Sequence, residues 1–318
     1  MALGQLVEGK WTSDRDQSDK GGRFIRPSTT FRNWVTADGS SGYPAESGRY
    51  HLYVSLACPW AHRTLIMRKL KGLEEAIGLS VVDPYMAEDG WFFSDAPGCI
   101  PDTLLGAKYL WEIYVKADPN YTGRVTVPVL WDTQTQTIVN NESREILRMF
   151  DVEFDAIAQN DTKFCPDELK EKIDRTIDAI YQPINNGVYR AGFAITQSAY
   201  EEGLKELFQA LDEWDEGLSQ QRYLCGSQLT EADICLFTTL IRFDAVYYGH
   251  FKCNLRHIWD YLNLGNYLKD VYQYPGIQET CNFDHIKQHY YKSHNKINPT
   301  GIVPAGPILD LESGHNRH

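Results

Sequence analysis

The chain has 318 residues, 42% hydrophobic and 23% charged, which is typical of a globular protein with more than one buried core. Its formal net charge is −12, and because an acidic surface repels nucleic acid and anionic membranes, we expect neither as a partner. No apolar run reaches the ~20 residues of a membrane span, and the first residues lack a secretion-signal layout, which predicts residence in the cytoplasm.

In the first half of the chain, strand and helix patterns alternate. Residues 1–47 show little periodicity, so we predict an extended arm. GRYHLYVSL predicts a strand, AHRTLIMRKLKGL a helix and GLSVVDP a second strand, an order that implies parallel pairing with a right-handed crossover. An irregular insertion follows at about 84–124, with one predicted helix in TLLGAKYLWEIYVKA. RVTVPVLWDTQTQTIVNN then predicts two strands and ESREILRMF a helix.

From about residue 166 the pattern becomes helical, with apolar residues recurring at i, i+3 and i+4. LTEADI predicts a helix start, with Thr230 as N-cap, Asp233 completing a capping box, and Leu229 and Ile234 as a hydrophobic staple. The Pro and Gly spacing of residues 293–318 excludes regular structure. We therefore predict an α/β domain over 48–155, which contains the insertion, and an all-helical domain over 166–292.

The seven cysteines are scattered, without a C-x-x-C or a zinc-type pairing, which predicts reduced thiols. Pro59 follows Cys58 at the predicted start of a helix, where a proline is tolerated. Orphan N–H groups and the positive end of the helix dipole at that position favour a thiolate, although a buried cysteine that ends a strand is the alternative. Ala61 stands where a dithiol motif has its second cysteine, so a mixed disulfide on Cys58 needs an external thiol, and glutathione is the abundant one.

Two further segments fit a glutathione site. Pro128 lies at the start of a predicted strand, where it makes sense as a cis-proline that exposes backbone groups to a peptide-like ligand; a trans proline at a strand edge is the alternative. Glu142 and Ser143 open a helix and together could hold the γ-glutamyl end of glutathione, although alone they are an ordinary helix cap.

Taken together, CPWAHR, VTVPVL, NNESREI and LTEADI resemble the glutathione transferase superfamily, which implies a thioredoxin-like N-terminal domain and an all-helical C-terminal domain. Longer segments look like the glutathionyl-hydroquinone reductases, or Xi-class (omega-like) transferases: RFIRPSTTFRNWV, DGWFFSD, NNGVYRAGFA, RFDAVYYGHFKCN and HYYKSHNKINPTGIVPAGP. This resemblance implies an oxidoreductase that reduces S-glutathionyl-hydroquinones through a Cys58–glutathione mixed disulfide and releases glutathione disulfide.

The resemblance also implies site residues. Tyr189, Tyr247 and Tyr290 match the family's tyrosines that face the hydroquinone, with Tyr248 and Tyr291 as the alternatives within their pairs. For glutathione, the resemblance implies Trp91 over the ligand, Arg124 on a carboxylate, Val127 beside Pro128, and Glu142 with Ser143. The alternative for Trp91 is a hydrophobic plug under the insertion.

Two other functions stay open: an omega-like thioltransferase or dehydroascorbate reductase that uses the same Cys58, and a non-catalytic protein that binds glutathione or quinones. His285 and His289 have the i, i+4 spacing of a metal pair, but no acidic third ligand is obvious, so we predict no metal. The family tends to dimerise through its helical domain, which implies a homodimer.

Overall fold

The computed structural model of the protein describes residues 4–13 and 18–317. Residues 1–3 and 14–17 of the predicted arm, and residue 318 of the predicted tail, lie outside the described residues. The chain forms two compact units. The first comprises the described part of Met1–Asp16, with Ser28–Thr162 and Thr280–Lys296, and the second the described part of Gln17–Pro27, with Lys163–Glu279 and the described part of Ile297–His318. The domain boundaries predicted from the sequence, 48–155 and 166–292, stay a prediction, because a compact unit is not necessarily a segment that folds on its own.

The strands of the described chain all lie in the first unit. In chain order they are β1 (Gln5–Val7), β2 (Lys10–Thr12), β3 (Tyr50–Val54), β4 (Ile77–Val81), β5 (Gly123–Arg124), β6 (Val129–Asp132) and β7 (Thr137–Asn140). The α-helices of the described chain are α1 (Pro59–Leu70), α2 (Leu110–Ala117), α3 (Ser143–Val152), α4 (Lys170–Ile180), α5 (Gly187–Gly192), α6 (Gln197–Leu218), α7 (Glu231–Arg242), α8 (Leu262–Tyr272) and α9 (Phe283–Ser293).

The first unit is built on a four-stranded sheet in the order β4-β3-β6-β7. β3 and β4 are parallel, as the strand–helix–strand pattern predicts, and α1 connects them. β6 runs antiparallel to both β3 and β7. Leu52 and Val54 of β3 are fully buried, and α1 packs against α3. The sheet thus positions two helix N-termini, one after Cys58 and one after Glu142, in the same unit.

The sequence does not predict the second sheet, in which β1 lies between β2 and β5. These strands have only two or three residues each, so no alternation of apolar and polar side chains can be detected in them. β1 pairs Gln5 with Arg124. The N-terminal segment therefore fixes the backbone at one of the predicted site residues.

The helix of the insertion is shorter than predicted. The backbone N–H groups of Leu104, Leu105 and Ala107 donate to the carboxylate of Asp102, and Gly106 has a φ of +69°. A carboxylate that collects successive N–H groups competes with the helix, and a positive φ interrupts it. The helix therefore begins only at Leu110, after this turn.

The second unit is helical, as predicted. Helix α7 is buried along its whole length, and the predicted capping box is confirmed: the Thr230 N–H and hydroxyl both donate to Asp233, at 2.8 and 2.7 Å. The helical path continues beyond α4 and α7 as π-helical turns at Tyr181–Asn185 and Phe243–Tyr247. Among the described helices, none has both the length and the apolar character that crossing a bilayer requires.

Candidate active site

Cys58 is the N-cap of α1, as the sequence predicts. Its backbone is extended (φ −77°, ψ 122°), and its carbonyl accepts the first helical hydrogen bond, from His62 N at 3.0 Å. Pro59 takes the first helical position, where its missing N–H costs nothing. The thiol is partly exposed at the positive end of the helix dipole. This position favours the thiolate form, which is the nucleophile in disulfide chemistry.

The peptide bond between Val127 and Pro128 is cis, which confirms the cis-proline prediction. Pro128 directly precedes β6, and Val127 is 5% exposed. The Cys58 thiol lies 3.7 Å from the carbonyl oxygen of Val127, to which it donates. The start of β6 and the start of α1 therefore meet at the thiol.

Glu142 and Ser143 form the N-terminus of α3. Glu142 Oε1 accepts from the Arg144 N–H at 3.3 Å, and Oε2 accepts from the Thr29 hydroxyl at 3.3 Å. Arg63 of α1 donates from Nη1 to the buried hydroxyl of Ser143 at 3.4 Å. The N-terminus of α3 therefore carries a guanidinium beside its own N–H groups, a combination that suits a carboxylate ligand.

Tyr114 of α2 connects the cis-proline segment to the segment before α3. Its hydroxyl donates to Thr126 O at 2.8 Å and lies 3.2 Å from Thr126 N and 3.1 Å from Asn141 Nδ2, both of which donate to it. Burial raises the pKa of Tyr114, so the phenol stays neutral. One side chain of the insertion therefore fixes the residues that precede Val127 and Glu142.

Trp91 and Tyr290 both contact the ring of His289. The ring of Trp91, which is 8% exposed, stacks on His289 with centroids 4.7 Å apart. His289 in turn meets the ring of Tyr290 edge-on at 5.2 Å. Its Nδ1 lies 2.9 Å from Pro84 O, so the proton is assigned to Nδ1. The predicted glutathione residue Trp91 and the predicted donor Tyr290 therefore share one neighbour.

Arg124 lies in β5, partly exposed, and its carbonyl accepts from the Tyr121 hydroxyl at 3.0 Å. Its role with a carboxylate stays a prediction.

In the second unit, Tyr189 and Tyr247 lie together, with ring centroids 6.0 Å apart. Tyr247 is fully buried and stacks on Phe251 at 5.5 Å, whereas the neighbouring Tyr248 stacks on His257 at 3.5 Å. Between the two alternatives, Tyr247 is therefore the one that accompanies Tyr189.

The predicted site residues divide between the units. Tyr189 and Tyr247 are in the second unit, and the first unit holds the others: Cys58, Trp91, Arg124, Val127, Pro128, Glu142, Ser143 and Tyr290.

Sequence reasoning missed three residues around these groups: Tyr114, His289 as a stacking residue, and Arg26, described below. Tyr114 and Arg26 carry no local signal, because the contacts that matter are tertiary ones, such as Tyr114 with Asn141 and Arg26 with Tyr189. His289 had a signal, its i, i+4 spacing to His285, but this spacing is typical of a metal pair and does not indicate ring stacking, and we predict no metal. Instead, His285 Nε2 lies 2.7 Å from Pro97 O, and His289 contacts Pro84. In the part of the chain that the structure describes, no three metal-binding side chains cluster, and the absence of a metal stays a prediction.

Known families match both halves of the chain. Residues 57–153 match the model of the glutathione S-transferase N-terminal domain, and residues 197–269 match that of the C-terminal domain. The glutathionyl-hydroquinone reductase YqjG of Escherichia coli is 55% identical over 99% of this chain and 98% of its own length. The glutathionyl-hydroquinone reductase PcpF of Sphingobium chlorophenolicum is 49% identical over 97% of this chain and 98% of its own.

Solved structures of similar proteins match the same family. The Xi-class transferase of Natrialba magadii superposes with a TM-score of 0.95 and 56% identity, covering 99% of this chain and 97% of that one. The glutathione-bound structure of Escherichia coli YqjG superposes with a TM-score of 0.91 and 54% identity, covering 99% of both chains.

Proposed function

Because this chain belongs to the glutathionyl-hydroquinone reductases, the Xi class of glutathione transferases, we propose that it reduces S-glutathionyl-hydroquinones to hydroquinones with glutathione. The family also accounts for the fold, a thioredoxin-like N-terminal domain followed by a helical C-terminal domain. The observation that carries the proposal is the Cys58 thiol at the N-cap of α1, beside the Val127 carbonyl, with Ala61 in place of a second cysteine.

The reaction has two displacements. The Cys58 thiolate attacks the sulfur of the glutathionyl adduct and forms a Cys58–glutathione mixed disulfide. The carbon–sulfur bond breaks, and its electron pair goes to the ring carbon, which takes a proton from a hydroxyl donor. A second glutathione, as thiolate, then attacks the mixed disulfide, which releases glutathione disulfide and restores Cys58. The proton released from the thiol of that second glutathione returns to the hydroxyl donor and so replaces the proton delivered to the ring.

The tyrosines Tyr189, Tyr247 and Tyr290 are the proposed hydroxyl donors. The leaving carbon needs a proton and stabilisation of the charge on the ring oxygens, and neutral phenols supply both. The 6.0 Å separation of the Tyr189 and Tyr247 rings supports this assignment for two of them. For Tyr290, the support is its edge-on contact with His289, on which Trp91 stacks.

Glutathione is the proposed co-substrate, held by Trp91, Arg124, Val127 with Pro128, Glu142 and Ser143. Glu142 takes the amino group and the N-terminus of α3 takes the γ-glutamyl carboxylate, a role that the Arg63–Ser143 hydrogen bond supports. Arg124 supplies a local cation for an anionic ligand on a chain of net charge −12. The backbone next to Pro128 pairs with the ligand as an added strand would.

The test is to replace Cys58 with alanine. We expect turnover of glutathionyl-menadione to disappear while glutathione still binds, because the nucleophile alone is removed. Intact-mass analysis of the wild type after treatment with glutathione disulfide should show one glutathione on Cys58. Cys99→Ala is the matched control, since burial raises the pKa of Cys99 and disfavours its thiolate.

Three results would contradict the proposal. Modification only at other cysteines would exclude the mechanism. Faster turnover of a small mixed disulfide than of glutathionyl-menadione would favour a general thioltransferase. Binding of glutathione without any turnover would favour a non-catalytic binding protein.

We also place the protein in the cytoplasm, as a homodimer. All seven cysteines are present as thiols, and the reaction consumes reduced glutathione, which fits a reducing compartment. Support for a dimer comes from three exposed apolar side chains in one segment of the second unit: Leu255, Trp259 and Leu262 are 66%, 47% and 75% exposed.

A further inference from the structure

Arg26 lies on the face of Tyr189. Its guanidinium carbon is 4.7 Å from the centroid of the Tyr189 ring and 5.3 Å from that of Phe24. Its Nε donates to Oδ1 of Asn186 at 2.8 Å, and Asn186 is 4% exposed and directly precedes α5, the helix that carries Tyr189. The cation is therefore held both by stacking and by a hydrogen bond to the helix of the tyrosine.

The segment that carries Arg26 is anchored within the second unit. The Ile195 N–H donates to Gly22 O at 3.1 Å, and the Thr196 hydroxyl donates to Gly21 O at 2.9 Å. Arg23 pairs with Glu202 of α6 at 2.9 Å. These contacts fix the backbone on the N-terminal side of Arg26, so its position over Tyr189 follows from the fold and not from the side chain alone.

The surroundings of Tyr189 are otherwise aromatic. The side chain is 8% exposed, and the rings of Phe193, Phe251 and Tyr247 have their centroids 5.9, 5.6 and 6.0 Å from its own. Negative charge is poorly solvated in such surroundings. A phenol that gives up its proton there needs a cation nearby, and a guanidinium stays charged at any working pH.

We propose that Arg26 is a positioning residue for hydroquinone reduction, which orients Tyr189 and stabilises the negative charge left on its oxygen when it donates its proton. This inference rests on the proposed function. The proton passes from the Tyr189 hydroxyl to the ring carbon, whose bond to sulfur has just broken. The guanidinium of Arg26, which lies over the face of the ring, stabilises the phenolate until the thiol proton of the second glutathione restores the phenol.

The test compares Arg26→Met with Arg26→Lys. Methionine keeps an apolar chain that can pack on the ring but removes the charge, whereas lysine keeps the charge. We expect kcat for glutathionyl-menadione to fall about tenfold or more in Arg26→Met, with KM for glutathione unchanged, and to recover in part in Arg26→Lys. The loss with a small mixed disulfide should be much smaller, because its thiolate leaving group needs no proton on carbon. Arg175→Met, which changes an exposed arginine of α4, is the matched control and should keep the wild-type kcat.

A double-mutant cycle shows whether Arg26 acts through Tyr189. In a Tyr189→Phe background we expect Arg26→Met to cause little further loss. Three results would each overturn the inference. The first is that the losses of kcat simply add in the double variant, and the second is that Arg26→Met loses as much kcat with the mixed disulfide as with glutathionyl-menadione. The third is that Arg26→Met is as active as Arg26→Lys. If the wild type itself does not reduce glutathionyl-menadione, the proposed function fails, and the inference falls with it. An active wild type with an unimpaired Arg26→Met variant overturns the inference alone.

Discussion

At the scale of single residues, the hydroxyl of Tyr114 connects two segments of the proposed glutathione site. It holds Thr126, two residues before the cis-proline, and Asn141, one residue before Glu142. Both segments carry predicted glutathione contacts. If either moves by a few tenths of an ångström, hydrogen bonds to the ligand lengthen and weaken.

Replacing Tyr114 with phenylalanine tests this role. The change leaves the Nδ2 group of the buried Asn141 without this acceptor, at a cost of about 1–3 kcal/mol. We expect the dissociation constant for glutathione, measured by titration calorimetry, to rise about tenfold. Tyr50→Phe is the matched control, since it removes a buried phenol that donates to Pro44 O at 2.7 Å. Equal affinities in the two variants would mean that Tyr114 stabilises the fold and does not position the site.

The site residues differ in how far the sequence could predict them. The positions of Cys58 and Glu142 as N-caps can be predicted from the local sequence, because a helix cap is defined by residues adjacent in the chain. The three proposed hydroxyl donors, Tyr189, Tyr247 and Tyr290, were predicted only from the family resemblance. Which of Tyr247 and Tyr248 lies beside Tyr189 could not be predicted from the sequence, because a π-helical turn at Phe243–Tyr247 changes which face each side chain takes.

At the scale of secondary-structure elements, a buried ion pair fixes the residue before β3 to the end of β6. Arg49 donates from Nε and Nη2 to the two carboxylate oxygens of Asp132, at 2.9 and 2.8 Å, and Thr135 donates to Asp132 at 2.6 Å. Burial alone would raise the pKa of Asp132, but these hydrogen bonds outweigh it and hold the pKa below its usual range.

Asp132→Asn should therefore destabilise the protein in a pH-dependent way. Near neutral pH we expect the free energy of unfolding to fall by about 3–5 kcal/mol, because Arg49 loses its buried partner. A carboxyl with a lowered folded-state pKa stabilises above its unfolded pKa of about 3.9, and that contribution is lost as the pH falls through the folded pKa. The difference between wild type and variant should thus be constant above about pH 5 and shrink below about pH 4.

Urea unfolding across this pH range provides the measurement. Asp174→Asn, which breaks the exposed pair with Lys170, is the control and should cost less than about 1 kcal/mol. A difference that stays the same below pH 4 would show that Asp132 matters through packing and not through its charge.

At the scale of the whole molecule, the change of periodicity near residue 166 predicts the switch from a mixed sheet to helices. It does not predict that α9 joins the first unit, because a helix has the same pattern whichever neighbours it packs against. The contacts that decide this are long-range, such as Met86 N with the Ser293 hydroxyl at 2.9 Å. The same holds for β1, which pairs with β5 across more than half of the first unit's sequence.

The proposed homodimer is the last prediction. The segment with Leu255, Trp259 and Leu262 is held in place, since Asp244 accepts from the N–H groups of Ile258 and Trp259 at 2.9 and 3.3 Å. A backbone that is already fixed loses little entropy on association, and burial of exposed apolar side chains is favourable, so we expect this segment to contact a second copy.

A charge in this segment should therefore separate the copies. We expect light scattering to give the mass of two chains for the wild type and of one chain for Leu262→Glu at micromolar concentration, because the carboxylate would be buried without a partner. Ile195→Glu is the control, as Ile195 is also exposed, at 72%, but lies outside the segment. A wild type that elutes as one chain, or a Leu262→Glu variant that stays a dimer, would exclude this surface as the interface.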